Sequence, residues 1–231
     1  MVRRLIAGRE TAALLLVATG VLLVFYYAAR PDVIGVLAAG RPWTTMAGPA
    51  RPLWLHLAGA VVLLAGLPIL LATRGLGLRL GECGLGLGRI GVGLRWLAAG
   101  LPLAVLAGWV GAQSPAMRAV YPLDPTVSLA ALPFGVYALA QFLYFGAWEV
   151  LFRGVLLHGL TKHVGFGAAN ALQTALSVTA HFGRAINEAA AALPGGLLFG
   201  WLARRTGSIW YVAILHWAMA LSMEWFIRRG L

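Results

Sequence analysis

The chain has 231 residues, 61% of them hydrophobic and only 11% charged, with a mean hydropathy of +0.84. Soluble domains carry roughly 25% charged residues, so composition excludes an ordinary soluble protein and indicates a single integral membrane bundle. The formal charge of +11 comes almost wholly from Arg, but these residues stand singly or in pairs at the ends of apolar runs. There they set topology and meet anionic headgroups, which excludes nucleic acid as a partner and implies the lipid bilayer.

Seven apolar segments are predicted, at about 10–29, 53–73, 96–112, 132–160, 165–182, 189–203 and 207–227, against the roughly 20 residues that cross the hydrocarbon. The expected fold is an all-α polytopic transmembrane helix bundle of about seven spans. An eighth, short or re-entrant helix in 31–52 would raise the count. The first run follows "MVRRLIAGRE" and opens like a signal sequence, but it is long and "FYYAARPD" is a poor cleavage site, so it reads as a retained helix. With the N-terminus inside, Arg74, Arg79, Arg89, Lys162, Arg204 and Arg205 fall on the cytoplasmic side.

The segment "GLGLRLGECGLGLGRIGVGLRW", 75–96, contains a literal G-x-G-x-x-G at Gly86, Gly88 and Gly91. No strand precedes it and no acid for a ribose follows, so it reads as a flexible interfacial loop rather than a dinucleotide site. The single cysteine, Cys83, excludes an intramolecular disulfide and a cysteine-based metal cluster.

Ionisable side chains inside a span cost about 2.5 kcal/mol or more at the centre, so each needs a partner or a task. Arg204, Arg205, Arg228 and Arg229 are at helix ends and can reach headgroups. Glu149, Arg153, His181, Glu188 and His216 are the informative set. Glu149 and Arg153, four apart in "WEVLFRGVLLHGL", share a helix face with the acid N-terminal, the favourable order for an ion pair. Taken alone, that pair could merely pin its helix to a neighbour. His181 ends "NALQTALSVTAHFG", Glu188 opens the next span seven residues later, and His216 sits well inside the last one. A lone membrane histidine is more often a packing residue than a catalyst, but two on separate helices with two carboxylates weaken that reading. "GLLFG", with Gly196 and Gly200, is a small-xxx-small packing face that could draw Glu188 and His181 toward Glu149. Tyr211, Trp217 and Trp225 either line a groove or sit in an interfacial belt, and the belt is the better reading.

A carboxylate and a histidine on one water can activate it for attack on an amide, the carboxylate taking the proton and a second histidine stabilising the oxyanion. Two His and one or two Glu could instead hold zinc, although no H-E-x-x-H spacing supports a metal. Glutamate-type hydrolysis without a cofactor ranks first and a zinc site second.

"WEVLFRGVLLHGL", "SVTAHFG" and "GGLLFGWLARRTGSIWYVAILHW" resemble, in order and spacing, the three conserved regions of the CAAX-protease and bacteriocin-processing (CPBP, Abi) family of intramembrane endopeptidases. The resemblance covers roughly 132–227 and implies a catalytic core over 132–231 behind variable N-terminal helices over 1–131. It implies peptide-bond hydrolysis near the membrane in a protein or peptide substrate, of the CAAX type or in C-terminal or leader processing. The family pattern is two adjacent Glu then x-x-x-Arg, Phe-x-x-x-His, and His-x-x-x-Asn or Asp. Glu149, Arg153, His181 and His216 match it, while Trp148, Ser177 and Ala220 replace the first Glu, the Phe and the Asn or Asp. A bacterial branch has Trp-Glu-x-x-x-Arg with a downstream His-x-Gly-Lys-Pro-x-x-Glu, which "HFGRAINE" resembles at His181, Gly183 and Glu188. By this resemblance Glu149 or Glu188 is the base, His181 orients the water, His216 stabilises the oxyanion and Arg153 holds Glu149. The alternative is an inactive member acting as a membrane binding or bacteriocin-immunity protein. A proton-coupled transporter is a third class, disfavoured because no inverted repeat is visible. The Arg-rich composition suggests a bacterial inner membrane.

Overall fold

Apolar sequence in lipid satisfies its own backbone polar groups by forming helix, and helix is what the long runs of this chain adopt. The computed structural model describes residues 2–29, 33, 51–75 and 77–231. The predicted eighth helix in 31–52 lies almost entirely outside the described residues. Among those described there is no strand. Helix α1 is Val2–Ala28. Helix α2 is a continuous rod formed by Arg51–Ala60, a π-helical turn at Val61–Gly66, and Leu67–Gly75. The π turn precedes Pro68, which has no N–H to return to Leu64. Helix α3 is Ile90–Ala112, and the short α4 is Pro115–Arg118. Helix α5 is Ala131–Glu149 and continues as a π-helical segment over Val150–His158. Helices α6, α7 and α8 are Gly159–Thr179, Ile186–Thr206 and Trp210–Arg229.

Four stretches are long and apolar enough to cross a membrane: Gly8–Ala28, Leu53–Gly75, Ile90–Ala112 and Ala131–Thr179. The last is 49 residues long, far beyond one crossing, and Gly165 breaks it with φ 77° and ψ 163°. Trp148 and His181 lie almost equally far from Gly165 in sequence, and their rings meet with centroids 5.4 Å apart. The chain therefore reverses at Gly165 and crosses twice. Helices α7 and α8 carry charges that lower their apolar character, but they complete the up-and-down order.

Contacts at the two ends follow that alternation. At the basic end His163 pairs with Glu10, Lys162 with Glu82, and the Arg89 guanidinium donates to the Arg204 carbonyl. At the far end Tyr26 donates to the Ala180 carbonyl, Asn187 to Ser114, and Gln113 and Arg118 to the carbonyl of Leu231. A continuous core runs from Leu14 and Phe25 of α1 through Leu64, Leu151, Leu156 and Leu202 to Leu215. Large apolar side chains such as Leu16, Leu103 and Leu139 point outward. An outward apolar surface is what lipid tails require, and the chain is an integral membrane protein.

The loop 77–89 is not the flexible stretch expected from its glycines. It turns into the bundle: Cys83 is fully buried, the Gly84 carbonyl accepts from Ile209, and the Leu85 and Leu87 carbonyls accept from Trp210 Nε1 and Tyr211 Oη. Gly88, at φ +56°, lies where a Cβ would strike the Thr206 carbonyl, and Arg89 N–H donates to that carbonyl at 2.7 Å. Tyr211 is thus a buried anchor, and Trp217 donates to the Ala138 carbonyl at 2.8 Å. Neither is free to act as a belt residue.

Candidate active site

Glu149 closes the α-helical part of α5, immediately before the π-helical segment that carries Arg153. A π turn is wider than an α turn and is costly unless used, which is why such segments gather at functional sites. Glu149 is 0% exposed and Arg153 2%. Arg153 Nη1 donates to Glu149 Oε1 at 3.1 Å, and His216 Nδ1 from α8 reaches the same oxygen at 2.7 Å. Phe145 and Phe199 flank the His216 ring, at centroid distances of 4.5 and 5.6 Å. Arg153 lies over Phe199 at 5.7 Å. An acid, its cation and a histidine from a separate helix are therefore gathered in an aromatic box.

His181 and Glu188 form a second cluster. The His181 Nδ1 lies 2.6 Å from the Ser177 carbonyl, so Nδ1 carries a proton and Nε2 faces Glu188 Oε1 across 3.8 Å. A bare lone pair facing a carboxylate would repel it, so the gap between them suits a bridging donor. Glu188 is fixed from its other side: Tyr121 donates to Oε2 at 3.1 Å and Arg184 Nη1 lies 3.4 Å from Oε1. Arg184 also donates to Tyr121 Oη at 3.1 Å. Burial alone would loosen the Arg184 proton, but the surrounding Tyr144, Tyr121, Glu188 and Tyr26 oxygens outweigh it and raise its affinity.

Of the five predicted residues, the structure joins Glu149, Arg153 and His216 directly and joins His181 to Glu188. No contact joins Glu188 to Glu149, contrary to the expectation from the "GLLFG" face. That face does pack closely: a Cβ on Gly196 would come 2.7 Å from Thr174 Cγ2, and one on Gly200 would fall on Asn170 Oδ1. The closeness serves α6–α7 contact, while Glu188 sits two turns earlier and turns to His181. Trp148 stands between the clusters, next in sequence to Glu149 and edge-on to His181.

Sequence reasoning missed a third polar network at the far end. Glu224, 1% exposed, accepts from Tyr137 Oη at 2.9 Å, Gln141 Nε2 at 2.9 Å and Arg228 Nη2 at 3.3 Å. Arg228 also donates to the carbonyls of Asp124 and Val127, both at 2.8 Å. Arg228 is a buried clasp for the α4–α5 loop rather than a headgroup contact. The legible signals were the i,i+4 spacings of Tyr137 with Gln141 and of Glu224 with Arg228.

Among the described residues, no three His, Cys, Asp or Glu side chains converge so that they could hold a metal ion. The one histidine on Glu149 touches the carboxylate directly at 2.7 Å, which leaves no room between them for a cation.

Residues 131–222 match the family model of the Rce1-like proteins, described as Type II CAAX prenyl endopeptidase Rce1-like. This bears out the resemblance read from the sequence and implies intramembrane endopeptidase activity. The matched stretch contains all five predicted site residues, while Tyr121, Glu224 and Arg228 lie outside it. No curated protein and no solved structure matches the chain.

Proposed function

We propose that the chain hydrolyses a peptide bond near the membrane in a protein or peptide substrate, with Glu149 as the base that activates water. The observation that carries this reading is the asymmetry of the Glu149 carboxylate. Oε1 is held by Arg153 and His216, whereas Oε2 is buried and has no hydrogen-bond partner among the described residues. A fully buried carboxylate oxygen left unpaired costs about 1–3 kcal/mol or more, so Oε2 is an acceptor that a water can satisfy.

In the proposed step a water held at Oε2 gives its proton to Glu149 as its oxygen attacks the scissile carbonyl carbon. The carbonyl π electrons move to oxygen, forming the tetrahedral oxyanion. When that adduct collapses, the C–N bond breaks and the leaving nitrogen takes the proton back from Glu149. Arg153 and His216 hold Glu149 Oε1 and fix the orientation of the carboxylate. No step requires a metal. CAAX-type tails and C-terminal or leader segments in a bacterial inner membrane are the substrates in view, with the N-terminus inside.

Trp148 and Ala220, which stand where the family has polar residues, favour a second reading, a non-catalytic binder or immunity protein on the same scaffold. One comparison separates the two. Membranes from cells expressing the wild type and Glu149→Gln are analysed by mass spectrometry of protein termini, with membrane levels of the two forms matched. The hydrolase reading expects new termini with the wild type alone. Termini that in both forms equal those of cells lacking the protein, with a biological phenotype that survives Glu149→Gln, would establish the non-catalytic reading.

A further inference from the structure

At the basic end of the bundle the described residues form a cavity of about 350 Å³, and none of the predicted site residues lines it. That volume falls within the roughly 300–1,000 Å³ of small-ligand sites. Three segments build it. Helix α1 supplies Glu10 and Leu14, the loop after α2 supplies Leu78, Arg79 and Glu82, and the chain just before the Gly165 reversal supplies Lys162 and His163. Leu14 and Leu78 meet over Gly159, where a Cβ would come within 3.0 and 3.6 Å of them, so these two give the cavity an apolar floor. Each segment lies at the end of a membrane crossing: one apolar stretch starts at Gly8, another ends at Gly75, and the third turns back at Gly165. The cavity is therefore at the level of the lipid headgroups.

Its charges are of both signs and come from different walls. Glu82 is engaged through both oxygens, by Lys162 Nζ at 2.7 Å and by the Arg79 N–H at 2.7 Å. The exposed Arg79 guanidinium has no partner among the described residues, and Glu10 meets only His163 there, through one oxygen at 3.3 Å. The Lys162–Glu82 pair is 41% and 40% exposed, so it contributes little by itself and leaves Lys162 able to turn to a ligand. A simple anion would suit Arg79 but be repelled by Glu10 and Glu82, and a simple cation would meet the reverse. A ligand with an oxyanion and an ammonium a few bonds apart suits both walls. We propose that this cavity binds the phosphoethanolamine group of a phospholipid. Its phosphate pairs with Arg79 and Lys162, its ammonium donates to Glu10, and its first apolar carbons rest on Leu14 and Leu78. The headgroup-level position and the apolar floor favour a lipid over free phosphoethanolamine. The site stands whether or not the chain hydrolyses peptides.

Native mass spectrometry of the full chain in detergent tests this, with phosphatidylethanolamine, phosphatidylglycerol and phosphatidylcholine of the same acyl chains added in equal amounts. Phosphatidylglycerol lacks the ammonium, and the methylated ammonium of phosphatidylcholine cannot donate. Phosphatidylethanolamine is expected to be retained about tenfold over both, the usual size of one charge-assisted contact. Arg79→Met and Glu10→Gln should each abolish that preference, whereas Arg95→Met, which removes a positive charge outside the cavity, should keep it. Lys162→Met replaces Arg79→Met as the phosphate-side lesion if the latter folds poorly. Equal retention of phosphatidylglycerol, or a preference that survives the cavity variants, overturns the proposal. Free phosphoethanolamine is the competing probe. Failure to displace the lipid at equal concentration supports a lipid occupant, and displacement at that concentration assigns the cavity to a soluble phosphate ester and overturns the lipid.

Discussion

Removing either partner of the Glu149–Arg153 pair should be far more damaging than removing both. At 3.1 Å two unit charges attract by about 5 kcal/mol at an effective dielectric constant near 20. Desolvating two ions that are 0% and 2% exposed costs several kcal/mol each, so the intact pair is close to neutral and a lone survivor is not. Arg153→Met leaves Glu149 with its His216 bond and should cost about 3 kcal/mol, while Glu149→Leu leaves Arg153 with only the Phe199 and Phe152 rings and should cost about 4, within the range for orphaned buried charges. The double variant Glu149→Leu/Arg153→Met should lie within about 1 kcal/mol of the wild type, a coupling of about 6 kcal/mol and roughly twice the usual upper end of about 3 kcal/mol. The assay is unfolding by SDS titration in mixed micelles, with all four proteins in the same detergent. Additive costs, with the double variant near 7 kcal/mol below wild type on this sum, would show that the pair is uncoupled and that the burial argument is wrong. The same logic constrains the catalytic test, because Glu149→Gln also uncharges Arg153's partner and must be compared at matched folded amounts.

Gly200→Ala should destabilise by about 1–3 kcal/mol through overpacking, because its Cβ would fall on Asn170 Oδ1. Gly195→Ala, whose Cβ meets nothing within 4 Å, should be neutral or stabilising, and thermal unfolding in detergent reads both. Glu224→Leu strands Arg228 and should cost about 3–5 kcal/mol, measured by the same SDS titration; a neutral outcome would remove the clasp role. The Glu82 carboxylate lies below its ordinary value of 4.5, chiefly through the Lys162 hydrogen bond and then the Arg79 N–H. A depressed acid contributes stability that is present above its unfolded value and lost as pH falls through the folded one. Proteolysis of the 77–89 loop should therefore accelerate only on acidification below the usual carboxylate range, and Lys162→Met should move that acceleration to higher pH.

The spans and the Glu149–Arg153 pair were legible because both rest on local rules: about 20 apolar residues per crossing, and i,i+4 spacing on one helix face. The partnership of His216 with Glu149 was legible only as a need, since a charge in lipid requires company that spacing cannot identify. What the sequence could not reveal depends on chain reversals. Gly165 turns one 49-residue apolar run into two antiparallel helices, and only that reversal sets Trp148 against His181. The glycines of 75–96 suggested looseness, yet Gly88 is required by close approach to the carbonyl of Thr206, far along the chain. Arg228 appeared terminal by position and is central by contact.

The second carboxylate–histidine pair carries a consequence for the N-terminal half. Glu188 keeps its orientation toward His181 through Tyr121, which arrives on the loop between α4 and α5 and lies outside the matched stretch 131–222. That loop is in turn held by Arg228 through the carbonyls of Asp124 and Val127, and Arg228 is balanced by Glu224. Tyr26 of α1 binds the Ala180 carbonyl one residue before His181. The chain outside the matched stretch thus supplies the scaffold that orients one of the two carboxylate–histidine pairs. Residues 131–222 contain all five candidate site residues, but their geometry at the far end is set from both sides by chain outside that stretch.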